Sequence, residues 1–212
     1  MFATVEVRWF FEGRVPEGVA EWFRRGVYGP DEQPRRVDHY LRLGETESLG
    51  IKLREGRIEI KQRHRPHGVV RFHERAAGLV EGWRKWSLPL AGVGEGLAHA
   101  LVPDSAWMAV QKERSLRNYR LGSGGQLVPV PGVAYPGQGC GAELTTVEAG
   151  GAVWWSLAFE AFGPESSLQE NLVSGIEHLF AREGVPFPLD ARASYGYPRW
   201  LALLQQGGRE QG

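Results

Sequence analysis

The chain has one cysteine, Cys140, among 212 residues, which excludes an intrachain disulfide framework. That usage fits a reducing compartment. Cys140 stands between Gly139 and Gly141 at the start of an expected strand. With no histidine in a partner context, it reads as a packed structural thiol rather than a nucleophile. Charge of one sign is not in excess either: 25 Lys+Arg balance 25 Asp+Glu. The global basic surplus of a typical nucleic-acid binder is missing, so nucleic acid is not an expected partner. No window approaches ~18 uninterrupted apolar residues, so no membrane-crossing helix and no membrane partner are expected. The opening Met1-Phe2-Ala3-Thr4-Val5-Glu6 carries no basic region ahead of a long apolar stretch. No secretory leader is therefore expected, and a cytoplasmic location is the default. Without internal repeats or a low-complexity boundary, the length suits a single domain over 1–206, followed by a polar tail, 207–212, expected to be disordered.

What the chain has instead is polar/apolar alternation. Thr4-Val5-Glu6-Val7-Arg8-Trp9, Ile51-Lys52-Leu53-Arg54, Ile58-Glu59-Ile60-Lys61, Val110-Gln111-Lys112-Glu113-Arg114, Ala142-Glu143-Leu144 and Leu157-Ala158-Phe159-Glu160 all repeat with period two. Successive strand side chains point to opposite faces, so each run gathers its charges on one face. Further strands are expected at 36–43 and 80–88. Glu55-Gly56 and Ala149-Gly150-Gly151 are hairpin turns. The segments 26–35, 64–79 and 122–140 read as loops, and 89–103 as room for a short helix. A helix is expected over 17–25, with Val19, Trp22 and Phe23 on one side. Another runs from a Ser166/Ser167 cap with Glu170 in a capping box to Gly184, and a last one covers 195–204.

About eight strands at short spacing with few crossover helices indicate an α+β fold: an eight-stranded antiparallel β-barrel or tunnel with covering helices. The alternative is an open sheet whose charged faces are solvated. In a barrel, the apolar strand faces would lie under amphipathic helices and the charged faces would point inward. Lys52, Arg54, Lys61, Lys112 and Arg114 would then make an electropositive interior that needs acids or a bound anion to persist. Phosphates suit such a site, through charge-assisted and bidentate hydrogen bonds. Glu6, Glu143 and Glu160 would supply the oxygen ligands that a hard cation such as magnesium prefers.

These elements in this order resemble the CYTH domain, the triphosphate tunnel metalloenzymes. Thr4-Val5-Glu6-Val7-Arg8 is similar to the family's opening Glu-x-Glu-x-Lys strand. Lys52-Leu53-Arg54, the strand ending in Lys61, and Lys112-Glu113-Arg114 match its basic strands. The segments around Glu143 and Glu160 match its late acidic strands, and Ser194-Tyr195-Gly196-Tyr197 its tyrosine-bearing terminal helix. The resemblance spans about residues 3–204. It implies an eight-stranded tunnel that binds triphosphate compounds, with Mg2+ or Mn2+ supporting hydrolysis. Arg8, Lys52, Arg54, Lys61, Lys112 and Arg114 would grip a phosphorylated small molecule or inorganic polyphosphate, and Glu6, Glu143 and Glu160 would hold metal. The chain departs from the pattern at Thr4, Arg8 and Ala158, so the anion-binding half is better kept than the metal-binding half. Two non-catalytic readings stand beside this one: an anion or phospho-ligand binder, and a protein-interaction module displaying some of the eight tryptophans. His64, His67 and His73 follow no zinc-site spacing.

Overall fold

The computed structural model describes residues 1–26, 28–44, 46–90, 106–122, 126–132 and 137–209, the backbone alone for 207–209. The expected helix within 89–103 falls almost wholly outside them. Nine strands are described: β1 (Phe2–Glu12), β2 (Asp31–Leu41), β3 (Leu49–Arg54), β4 (Arg57–His73), β5 (Ala76–Pro89), β6 (Trp107–Leu121), β7 (Leu127–Val130), β8 (Gly139–Ala149) and β9 (Ala152–Phe162). The helices are α1 (Glu17–Arg24), α2 (Leu168–Glu183) and α3 (Tyr197–Arg209).

Eight strands close into an antiparallel barrel in the order β2-β3-β4-β5-β1-β9-β8-β6, and β6 pairs back onto β2. The ninth, β7, takes the side of β6 that β2 leaves free beyond Leu116. Two hairpins turn where expected. Glu55 and Gly56 join β3 to β4 with φ of 47° and 69°, and Gly150 and Gly151 join β8 to β9 with 59° and 81°. These are left-handed values that two-residue hairpin turns require.

Segments read as loops prove to be strand. The histidine-rich stretch 64–79 is the far half of the β4–β5 hairpin, its alternation broken by bulges at Arg63/Arg65, Pro66/Gly68 and Arg71/His73. Each bulge inserts a residue and resets the period. Residues 31–35 belong to β2, with a bulge across Pro34 and Arg35, and 127–130 form β7. Ser167 precedes α2 but makes no side-chain cap; its hydroxyl donates to the Pro164 carbonyl instead. Helix α3 runs to Arg209, into the segment expected to be a tail.

The barrel is apolar outside and polar inside. Val5, Val7 and Trp9 of β1, with Leu157, Phe159 and Ala161 of β9, face outward into a core built against the helices. Leu168, Leu172, Ile176, Leu179 and Phe180 of α2 and Val19, Trp22 and Phe23 of α1 complete it. Spacing of i, i+4, i+8 on α2 puts its leucines and isoleucine on one side, which the barrel covers. Gly175 lets α2 approach closely, since a Cβ there would stand 2.6 Å from Cβ of Cys140. Cys140 is a buried free thiol whose pKa burial pushes up, in keeping with a packing role. No tryptophan is exposed: Trp9, Trp22, Trp83, Trp155 and Trp200 are buried, and Trp86, Trp107 and Trp154 are half-buried. The five buried tryptophans offer no surface patch, which leaves Trp86, Trp107 and Trp154 as the partly accessible ones. Among the described residues, no helix is long and apolar enough to cross a membrane.

Candidate functional site in the barrel interior

Alternation carries one row of each strand into the barrel: Thr4, Glu6, Arg8 and Phe10 on β1, Asp38 and Tyr40 on β2, and Lys52 and Arg54 on β3. The same parity turns Glu59, Lys61 and Arg63 of β4, Glu81, Trp83 and Lys85 of β5, and Val110, Lys112 and Arg114 of β6 inward. Glu143 and Thr145 of β8 and Ser156, Ala158 and Glu160 of β9 complete the wall. Ion pairs confirm the concavity, because several reach over an intervening strand. Arg8 donates to Glu143 at 2.8 Å across β9. Lys61 meets Glu6 at 2.5 Å across β5, and Lys85 pairs with Glu160 across β1.

Every residue expected to grip phosphate, Arg8, Lys52, Arg54, Lys61, Lys112 and Arg114, therefore lines this interior, as do Glu6, Glu143 and Glu160. The structure adds partners that were not anticipated. Asp38, with no exposed surface, sits between Lys52, Lys112 and Arg36, each at 3.3 Å. Glu59 pairs with Lys52 at 3.0 Å and with Arg54, and Arg63 meets Glu81 at 2.5 Å. Glu81 and Lys85 had the right parity within the 80–88 strand and Asp38 within 36–43, so the period-two signal contained them. Arg63 lay at the edge of the segment read as a loop. Among the described residues, nine cations meet six carboxylates in this interior network. Positive charge is in surplus.

Ala158 has a clear structural use. It is the register partner of both Arg8 on β1 and Glu143 on β8. Its methyl group leaves the space over β9 in which guanidinium and carboxylate meet, and a longer side chain would fill it. On the next inward row, Glu81, Glu6 and Glu160 are aligned on β5, β1 and β9. These three carboxylates do not pool. Each is turned to its own cation: Arg63, Lys61 and Lys85. Glu143, expected beside Glu6 and Glu160, is held instead by Arg8 and Arg114, with Thr145 donating to it at 2.8 Å. Among the described residues, no group of three His, Cys, Asp or Glu side chains is placed to hold a metal ion. Glu6, Glu143 and Glu160 share the cavity without forming a ligand set.

Beyond Arg8, Asp38 and Lys112, the inward positions become apolar. Phe10, Tyr40, Met108, Val110 and Val147 pack there with Tyr195 and Trp200. Trp200 stacks on Phe10 at 5.2 Å, and the Tyr197 ring lies 3.7 Å from Nζ of Lys112. The terminal helix thus fills this end with aromatic rings. Lys61, Lys85, Glu160, Arg54 and Arg63 keep about a quarter of their side-chain surface open to water.

Electrostatics follow the pairing. Burial pushes the Lys112 ammonium well below its ordinary range against the pull of Asp38, and lowers Lys52 and Lys61 against Asp38 and Glu6 respectively. Such lysines favour their charged form more strongly once an anion arrives. Burial also works to raise the carboxyls of Glu143, Asp38 and Glu160, but their cations outweigh it. Arg8 and Arg114 hold Glu143 well below the carboxylate range, and Lys112 and Lys52 do the same for Asp38. Lys85 and Lys61 bring Glu160 down to about 2. Glu81 goes the other way, raised by burial and by Glu6.

A carboxylate whose folded pKa is depressed stabilises the fold above its unfolded value and loses that contribution as pH falls through the folded value. Stability should therefore drop as pH falls from about 4 towards 2, with Glu81 opposing the trend slightly. Urea midpoints compared at pH 6 and pH 3 will show the fall. Equal midpoints would mean that these ion pairs contribute no net stability.

No protein-family model matches the chain, and no curated protein is significantly similar to it. What the chain does must be read from the interior itself.

Proposed function

We propose that the barrel is a divergent CYTH-like tunnel that binds a phosphorylated small molecule in its charged interior. The observation that carries this reading is the surplus of interior cations, with Lys52, Arg54, Lys61 and Arg114 partly open to water. A polyanion entering there exchanges hydration for charge-assisted hydrogen bonds. It also relieves the mutual repulsion of the ammonium and guanidinium groups. Arg8 and Lys112 lie deeper and are paired with Glu143 and Asp38, so they act by charge more than by direct contact.

Anion binding is better supported than hydrolysis. Glu81, Glu6 and Glu160 form an acidic row of the kind that Mg2+ or Mn2+ would require, yet each carboxylate is committed to a cation. Loading a metal there means displacing Arg63, Lys61 or Lys85 from its partner. A metal-dependent phosphohydrolase remains the second reading, favoured by that row alone.

Tripolyphosphate should raise the melting temperature in the presence of EDTA. Lys61→Ala should weaken its binding about tenfold or more, as expected for loss of a charged hydrogen bond. Glu160→Ala should leave it intact. A shift that vanishes on chelation and returns with Mg2+ or Mn2+ would favour the second reading, and phosphate release under those conditions would establish it. No shift under either condition would overturn both.

A further inference from the structure

One strand edge away from the charged interior lacks a neighbour. The pairing of β3 with β4 ends at Leu49 and Gln62, and the last bond across that seam runs from the Arg63 N–H to the Ser48 carbonyl, 2.7 Å away. β4 continues to His73 with β5 on one side and, among the described residues, no strand on the other. Its outer backbone N–H and carbonyl groups are a template for another strand. Period two turns Val70 and Phe72 into the core shared with α2 and leaves Val69 and Arg71 on the opposite face. His64, Arg65, Pro66, Gly68, Val69 and Arg71 are all exposed, Val69 by 63%. From His64 to Arg75 the chain holds one acid, Glu74, against three arginines. Arg65, Arg71 and Arg75 form no ion pair among the described residues, and Arg71 donates to the Glu74 backbone carbonyl at 3.3 Å. The chain as a whole is neutral, so this excess of positive charge is local.

We propose that this edge takes an acidic, extended segment of a partner protein as an added strand. The backbone template is Gly68 to Arg71, the stretch between two bulges where β4 keeps unbroken register with β5. Main-chain hydrogen bonds there supply affinity, and side chains supply the choice of partner. Arg65 and Arg71 meet carboxylates of the segment, and Val69 packs against one of its apolar side chains. Pro66 and the bulges shorten the edge, and its arginines repel a second copy of themselves. Both features guard against self-pairing while leaving an acidic strand attracted.

The probe is a short, end-blocked, fluorescently labelled peptide alternating glutamate and valine. Anisotropy should show it binding the full chain, more weakly as salt is added, and amide hydrogen exchange should slow over 68–71. Arg65→Glu combined with Arg71→Glu, both at exposed positions, should weaken binding about tenfold at an unchanged melting temperature. A peptide of the same charge with alternate backbone amides N-methylated should bind about tenfold more weakly or worse, because the edge bonds are lost. The lysine and valine counterpart should not bind. Lys61→Ala should leave binding unchanged, which separates this edge from the barrel interior. Failure of the acidic peptide to bind, equal binding of the N-methylated peptide, or no loss in the double variant overturns strand addition here. Tighter binding of an oligothymidylate of matched charge, lost in the same double variant, overturns it in favour of nucleic acid.

Discussion

Asp38→Asn is expected to lower the unfolding free energy by about 3–5 kcal/mol, the usual cost of breaking a buried ion pair from one side. Asp38 has no exposed surface and is the shared counter-charge of Lys52, Lys112 and Arg36. Asparagine keeps the shape but removes the charge, leaving three cations crowded on the inner faces of β2, β3 and β6. The same substitution should increase the stabilisation that tripolyphosphate confers, because the variant's interior has one negative charge fewer. Chemical denaturation with and without tripolyphosphate measures both effects. A variant as stable as the natural protein would show that the Asp38 carboxylate is dispensable. A ligand-induced gain no larger than the natural protein's would count against the interior as the anion site.

Trp200→Ala is the second large effect. Trp200 is fully buried, stacks on Phe10, and meets Trp154 and Tyr197 edge-on. Truncating a buried tryptophan costs about 3–5 kcal/mol. At about 2–4 °C per kcal/mol for a chain of this length, the melting temperature should fall by about 10 °C. The loss also opens the end of the barrel that α3 fills. Arg199→Ala is the control on the same helix. Its partner Glu47 lies 2.7 Å away, but both side chains are well exposed, so the change should stay below about 1 kcal/mol. Similar losses for the two variants, read by differential scanning calorimetry, would refute the plug role of Trp200.

Period-two alternation located most of the barrel, because a strand between water or charge on one side and a helix-covered core on the other must alternate. The same parity selected Glu6, Arg8, Lys52, Arg54, Lys61, Lys112, Arg114, Glu143 and Glu160, all of which point inward. It failed at 31–35 and 64–73, where bulges at Pro34/Arg35, Arg63/Arg65 and Pro66/Gly68 shift the phase and make strand look like loop. It also failed at 127–130, because the four-residue β7 is too short to show a period and is set by pairing with β6 and by burial of Leu127 in the core. Ala158 looked like a missing carboxylate when read along the chain. Across the strands, it is the gap through which Arg8 reaches Glu143.

The sequence by itself determined which residues share a strand face, where the tightest hairpins turn, and that the charged faces carry both signs. Strand sterics and side-chain chemistry are local, so a linear reading is enough for them. Only the tertiary structure decided that the faces close on one another and that α1 and α2 cover the outside. It alone decided which carboxylate answers which cation. Those outcomes depend on register and curvature between strands far apart in the chain. They separate an acidic row available to a metal from one already neutralised by Arg63, Lys61 and Lys85.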